Sequence, residues 1–238
     1  KTSYWYPNDL IPKGEKTPEL IRLGLTNISH VYTRRNLIAL ATFHSKLDLF
    51  NKVWLTSMLS RTTRLVKTLL SNYLSQIKGK TVGGWAGTPL TGTLYAPSIS
   101  TEVSIMESLK SRLSSILKLQ NEKRSFKLGV VAIGISSSTK LKLEPNSIDY
   151  IFTDPPFGAN IMYSELNFVG EGWLKVKTNN IAEASESRKH NKTLLDYQNI
   201  MTKSFSEYLR VLKPGKWMTV EFSNTSAAVW NCIQTALQ

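Results

Sequence analysis

The stretch Ile148-Asp149-Tyr150-Ile151-Phe152-Thr153-Asp154-Pro155-Pro156-Phe157 decides the fold of the second half of this chain. Its first six residues are rich in β-branched and aromatic side chains, which favours a buried strand. Pro155 and Pro156 then end the strand, because a proline cannot donate a ladder hydrogen bond and fixes its own φ. We therefore expect a stiff loop at the carboxyl end of a strand, where ligands bind in open α/β sheets.

This loop carries the groups needed to hold a primary amine of a nucleobase. The lone pair of such an amine is delocalised into the ring, and two acceptors that hold its N–H bonds can favour the tetrahedral form of the nitrogen. The Asp154 side chain and the Pro155 carbonyl could be those acceptors, and Phe157 offers a face for a flipped-out base. Aspartate and proline are also favoured turn residues, so an ordinary loop is the alternative.

Three strings of this sequence resemble one family of enzymes. They are Asp154-Pro155-Pro156-Phe157-Gly158-Ala159-Asn160-Ile161-Met162-Tyr163-Ser164-Glu165-Leu166-Asn167, Leu212-Lys213-Pro214-Gly215-Lys216-Trp217-Met218 and His30-Val31-Tyr32-Thr33-Arg34-Arg35-Asn36-Leu37. The first resembles the catalytic motif of S-adenosylmethionine-dependent DNA methyltransferases that methylate amino groups, in the form carried by large prokaryotic site-specific DNA methylases. Its initial aspartate is more similar to the adenine-N6 branch than to the cytosine-N4 branch.

The resemblance implies site residues and a cofactor. Asp154, Pro155, Pro156 and Phe157 would be catalytic, and S-adenosyl-L-methionine would donate the methyl group. Thr33 and Arg35 would lie near the methionine end of this cofactor, and Ser138 near its adenine.

Such an enzyme also needs a glycine-rich turn after its first strand. The sequence has no Gly-x-Gly between a predicted strand and a predicted helix. We therefore expect the cofactor-binding segment to lie upstream in a longer parent protein, with this chain as an internal part that could be inactive alone.

The charge of the chain favours a polyanionic partner. Lysine and arginine outnumber aspartate and glutamate by 30 to 17, which gives a formal net charge of +13. Positive charge attracts nucleic acid and releases its counterions, and DNA is the expected partner, with RNA as an alternative. The candidate phosphate contacts are Arg34, Arg61, Arg64, Arg188 and Lys189. Many other basic residues are expected to be solvated faces of helices.

The order of the predicted elements indicates an α/β fold: a partial class I methyltransferase (Rossmann-like) sheet preceded by a helical, basic region. Residues 1–127 form the basic region, with a glycine-rich loop at 79–100 that could contact DNA, and residues 128–238 the catalytic region. Apolar spacing predicts helices within 34–77 (two with a break), 103–117, 163–176, 194–211 and from about 225, and strands at 129–135, 148–153 and 217–222. Strands that alternate with helices imply parallel βαβ units.

Several classes of protein do not fit this sequence. Cys232 is the only cysteine, so the chain can form neither an internal disulfide nor a cysteine-based zinc site. The three histidines are far apart, and no metal is expected. The single cysteine is compatible with a reducing compartment, and a cytoplasmic protein is expected. No apolar run approaches the roughly 18 residues of a membrane span.

Two other functions stay open. Guanine-N2 methyltransferases that act on RNA carry similar loops, and positive charge suits either nucleic acid. The chain could also be a nucleic-acid-binding module without activity of its own, since its glycine turn is missing.

Overall fold

The computed structural model describes residues 3–90, 92–123, 130–159 and 161–238, and the chain divides into two compact units. Unit 1 comprises Lys1–Leu128 and Tyr163–Asn179, and unit 2 comprises Gly129–Met162 and Asn180–Gln238. The prediction assigned 163–179 to the catalytic region instead. The reason for the difference is Trp173, which lies in this segment and is buried in the core of unit 1.

Unit 1 is helical, as the spacing of its apolar residues predicts. Its helices are α1 (Pro18–Arg22), α2 (Arg34–His44), α3 (Leu49–Leu59), α4 (Leu70–Ile77), α5 (Ile105–Lys123), α6 (Tyr163–Leu166) and α7 (Phe168–Leu174). Short 3₁₀ turns occupy Ile28–Val31 and Ser60–Thr62. The Thr33 and Asp48 side chains cap α2 and α3 by accepting hydrogen bonds from the third backbone amide of each helix. The sequence predicts two helices between residues 34 and 77, and the structure has three, α2, α3 and α4. Residues 63–69 are not helical and separate α4 from the helices before it.

The core of unit 1 gathers apolar residues from most of its helices. At its centre the Trp173 indole donates a hydrogen bond from Nε1 to the Tyr32 hydroxyl at 3.1 Å. His44 donates from Nε2 to the Trp173 carbonyl at 3.1 Å, and its ring centroid lies 5.4 Å from that of Trp173. Burial raises the pKa of the Tyr32 hydroxyl and lowers that of His44. Tyr32 and His44 are therefore uncharged, and both are hydrogen-bonded inside this core.

A buried carboxylate ties α6 to the start of the chain. Glu165 is 1% exposed, and its two carboxylate oxygens accept from the backbone amides of Glu15 and Lys16 at 2.8 and 2.6 Å. A Cβ atom at Gly14 would lie 2.1 Å from the carboxyl carbon of Glu165. Glycine at position 14 is therefore required for this close approach.

Unit 2 contains a βαβ arrangement. The strand β1 (Ile148–Thr153) is followed by a 3₁₀ turn at Asn180–Ala182, helix α8 (Leu194–Val211), strand β2 (Leu212–Val220) and helix α9 (Ala227–Ala236). β1 and β2 pair in parallel, and α8 is the crossover that parallel strands require. The predicted bounds of β1 and α8 are confirmed.

The core of unit 2 lies between α8 and α9. Tyr197, Met201 and Phe205 recur every fourth residue on α8 and meet Val229 and Ile233 of α9. Thr193 and Asp196 form a reciprocal capping box that begins α8. None of the helices within the described residues has both the length and the apolar composition needed to cross a membrane.

The pairing of β1 with β2 is interrupted near its beginning. Ile148 pairs with Leu212 but Tyr150 pairs with Trp217, so β2 has extra residues opposite Asp149. These residues include Gly215, which has a φ of +73° and forms a turn. The sequence predicts a turn at Pro214-Gly215 before the strand. β2 begins earlier, at Leu212, so the turn lies inside it. Lys213 and Lys216 both form ion pairs with Asp149, and the hydrogen bond from Lys213 is the main cause that lowers the pKa of Asp149.

Two expectations about strands are wrong. Residues 130–135 form no strand, and Val130 and Ile135 are fully exposed; residue 129 lies outside the described residues. Every residue of β1 is at least partly exposed, and Tyr150, Phe152 and the neighbouring Trp217 are more than half exposed. A run of β-prone residues becomes a buried strand only when other strands pair with it and helices cover it. The composition of the run does not predict whether these partners are present.

Candidate functional site

The acceptor loop, which we define as Asp154–Phe157, begins where β1 ends. The last rung of the sheet is the hydrogen bond from the Glu221 amide to the Thr153 carbonyl, at 2.9 Å. Asp154 is exposed immediately beyond it, Pro155 is buried, and Pro156 and Phe157 are partly exposed. The loop therefore has a carboxylate in solvent and a rigid proline anchored below it.

Two side chains from neighbouring elements hold the far half of this loop. Tyr197, on the first turn of α8, is fully buried and donates from its hydroxyl to the Pro156 carbonyl at 2.6 Å. Asn224 donates from Nδ2 to the Phe157 carbonyl at 3.0 Å. Burial, with a smaller contribution from Cys232, raises the pKa of Tyr197, so its hydroxyl stays protonated as the donor.

The near half of the loop keeps its acceptors free. Within the described residues, neither the Asp154 carboxylate nor the Pro155 carbonyl accepts a hydrogen bond from another protein group. The next two carbonyls along the chain are both occupied. Two adjacent acceptors are thus left for a ligand that offers two donors, on a backbone that is fixed by prolines and side-chain hydrogen bonds.

Aromatic rings extend from the end of the loop. The Phe157 ring lies 5.6 Å from that of Phe222, between centroids, and Phe222 lies 5.1 Å from Trp230 in a T-shaped arrangement. The Trp230 indole donates to the Asn224 carbonyl at 2.8 Å. The ring of Phe157 is therefore supported by protein and partly accessible, as a stacking surface must be.

Gly158 makes the turn that follows the loop, at φ +65°. A Cβ atom there would lie 3.3 Å from Val229 on α9. Its carbonyl accepts from the Glu186 amide at 3.4 Å, which brings the segment after α7 to the acceptor loop. Arg188 and Lys189, both exposed, follow two and three residues later. Sequence spacing alone, with about thirty residues between the loop and these cations, does not predict this proximity.

No family model, curated protein or solved structure matches this chain. The function is therefore inferred from the geometry of the acceptor loop.

The three residues proposed for the cofactor are engaged with other protein groups. Thr33 accepts from the Asn36 amide at 3.2 Å as the cap of α2. Arg35 makes a two-bond ion pair with Glu102, at 2.9 and 3.0 Å, and this contact raises the pKa of the guanidinium. The Ser138 hydroxyl lies 3.2 Å from that of Ser204.

The assignment of these three residues to S-adenosyl-L-methionine stays a prediction. Thr33 and Arg35 belong to unit 1, whereas Ser138 belongs to unit 2 with the acceptor loop. Neither β1 nor β2 is followed by a glycine-rich turn.

The five predicted phosphate contacts are all exposed, as a nucleic-acid contact requires. Arg34, Arg61 and Arg64 lie in unit 1, and Arg188 and Lys189 lie in unit 2 beside the acceptor loop.

Sequence reasoning missed the two residues that fix the loop. Tyr197 has the spacing of a core residue of α8, and Asn224 lies in a polar loop after β2. The only signal in the sequence is that a tyrosine at a fully buried position needs a hydrogen-bond partner.

Proposed function

We propose that the acceptor loop binds the exocyclic amine of a DNA base, adenine N6, for transfer of a methyl group to its nitrogen. The observation that carries this proposal is the pair of free acceptors, the Asp154 carboxylate and the Pro155 carbonyl, beside the accessible ring of Phe157. An adenine amine has two N–H bonds, and its ring has a face that can stack. The loop offers a matching set of contacts.

The chemistry assigned to this chain concerns the acceptor only. Asp154 and Pro155 would each accept one N–H of the amine, which withdraws the hydrogens from the ring plane and directs the nitrogen lone pair outward. Nitrogen that gains a methyl group must lose a proton, and the exposed Asp154 carboxylate is placed to take it to solvent. S-adenosyl-L-methionine is the methyl donor that the family resemblance implies.

The phosphate groups on either side of the flipped base would lie against basic residues. Arg188 and Lys189 are close in sequence to Glu186, which is hydrogen-bonded to the turn after the loop. A cation at this place attracts the phosphodiester without reading the base. We therefore assign base selection to the loop and positioning to these two residues.

Nucleoside binding tests the acceptor pair without any cofactor. We expect deoxyadenosine, titrated into the 15N-labelled chain, to shift the amide resonances near the loop. N6,N6-dimethyl-deoxyadenosine has no N–H donor and should bind at least about tenfold more weakly, because a hydrogen bond to a charged acceptor contributes roughly 1.5–3 kcal/mol. The variant Asp154→Ala should reduce this preference to a factor of two or less.

Asp149→Asn is the matched control, since it removes an exposed carboxylate from the other end of the same strand. It should leave the preference unchanged. Equal binding of the two nucleosides by the wild-type chain would contradict the proposed contact. Tighter binding of deoxyguanosine than of deoxyadenosine would favour the guanine-N2 reaction. If the wild-type chain transfers methyl groups from labelled cofactor to DNA, the rate of transfer should be about 100-fold or more lower with Asp154→Ala.

A further inference from the structure

Unit 1 contains a cavity that the acceptor loop does not use. Its volume is about 550 Å³, within the range of small-molecule sites. The residues that matter on its walls are Glu19 and Arg22 of α1, Arg64, and Tyr95, Ser98 and Ser100 from the segment before α5.

The walls of this cavity are held by backbone hydrogen bonds. The Arg64 amide donates to the Val31 carbonyl at 2.7 Å, which fixes the segment that carries this guanidinium. The Thr68 amide donates to the Ile99 carbonyl at 3.2 Å, which fixes the segment of Tyr95 and the two serines. Two of the three stretches of chain that line the cavity are therefore anchored and need little ordering when a ligand binds.

Two guanidiniums on these walls have no acidic partner. Among the described residues, Arg22 and Arg64 take part in no ion pair, whereas Arg35 and Arg210 each bind a glutamate. Arginine presents a planar set of donors that matches phosphate oxygens in pairs. Two unpaired arginines that face one cavity therefore favour a phosphate group inside it.

The remaining walls suit a nucleoside. Tyr95 is 39% exposed and offers a ring on which any base can stack. The Ser98 and Ser100 hydroxyls can both donate and accept, as contacts to a sugar require. Among the described residues that line the cavity, Glu19 is the one carboxylate, and it can accept from an amino group on a base edge. An acidic peptide would use the arginines and leave Tyr95 without a role.

We propose that this cavity binds one nucleotide unit of a nucleic acid, with its phosphate on Arg22 and Arg64 and its base on Tyr95. The proposal rests on the proposed function only in taking nucleic acid as the partner. The cavity lies in unit 1, and the acceptor loop in unit 2. At the proposed site, two of the positive charges of the chain would bind a phosphate group directly and would not only attract nucleic acid from a distance.

Binding of a fluorescein-labelled single-stranded oligonucleotide, followed by anisotropy, tests this site. Tyr95→Ala should weaken binding about 5- to 100-fold, the range that loss of one stacked base produces, and Tyr95→Phe should bind within twofold of the wild type. The double variant Arg22→Ala/Arg64→Ala should lower the slope of log K against log salt by roughly 0.7, because the two arginines together contact one phosphate.

The double variant Lys78→Ala/Lys80→Ala is the matched control, because it removes the same charge from exposed positions of unit 1 outside this cavity. It should change the slope by less than half as much. An equal effect of the two double variants would overturn the proposal, as would failure of the wild-type chain to bind the oligonucleotide. Thermal unfolding shows whether each variant is folded. If the arginine double variant does not fold, the comparison of Tyr95→Ala with Tyr95→Phe still tests the proposal.

Competition experiments distinguish a site for a nucleotide from a site for free phosphate. Deoxyadenosine monophosphate should displace the oligonucleotide at least tenfold more effectively than inorganic phosphate does, and this difference should vanish with Tyr95→Ala. Equal displacement by both would reduce the cavity to an anion site and refute the nucleotide assignment. Asp154→Ala should not alter the competition, so a failure here is distinguishable from a failure of the acceptor loop.

Discussion

Replacement of Tyr197 by phenylalanine isolates the hydrogen bond that fixes the acceptor loop. The side chain is fully buried, and phenylalanine fills the same space without the hydroxyl, so the change removes the 2.6 Å bond to the Pro156 carbonyl and little else. A net hydrogen bond contributes about 1 kcal/mol. Because Pro156 is partly exposed, water can replace the lost donor, and we expect the free energy of unfolding to fall by about 1–1.5 kcal/mol.

Urea unfolding followed by circular dichroism measures this loss, and Tyr208→Phe is its control. Tyr208 lies on the same helix, contacts Phe205 and makes no hydrogen bond with its hydroxyl to any described residue. Its replacement should change stability by less than about 0.5 kcal/mol. Tyr197→Phe should also weaken deoxyadenosine binding several-fold, since the acceptors are less well fixed. Equal urea midpoints for the two variants would refute the role given to Tyr197.

Three further changes test other parts of the structure. Gly158→Ala places a side chain at φ +65° and 3.3 Å from Val229, so it should cost about 1–2 kcal/mol in urea unfolding and weaken nucleoside binding. Thr193→Ala removes the capping box of α8 and should lower the free energy of unfolding by about 1 kcal/mol in the same assay. Burial, with the positive charge of Lys52, lowers the pKa of His44, so the unfolded chain binds the proton more readily. Stability should therefore fall as the pH drops below about 6.5 towards the lowered pKa of the folded state, and His44→Gln should flatten this decline in urea midpoints between pH 5.5 and 7.5.

Local patterns predicted the elements whose boundaries depend on nearby residues. β1 ends at Thr153 because two prolines follow within three residues, and α8 begins after Thr193 because Asp196 completes a capping box. The same reasoning failed for residues 130–135, which have the composition of a strand and form none. A strand exists only through hydrogen bonds to another strand, and its partner is far away in sequence.

The assignment of 163–179 to a unit shows the same limit. Phe168 and Trp173 have the helical spacing of core residues, and the region 163–176, predicted as one helix, forms the two shorter helices α6 and α7. Which core they enter depends on complementary packing with residues more than a hundred positions earlier, such as Tyr32. Apolar periodicity identifies the buried face of a helix and not the surface that will cover it.

The sequence by itself determined the acceptor loop: an aspartate, two prolines and a phenylalanine directly after a strand, which fix the backbone through covalent restraint. Only the tertiary structure decided which of its acceptors are free. Tyr197 and Asn224, forty and more residues away, donate to the carbonyls of Pro156 and Phe157, and no described residue donates to the Asp154 carboxylate or the Pro155 carbonyl. Hydrogen bonds between distant residues depend on how α8 and the segment after β2 pack, and no local pattern encodes that packing.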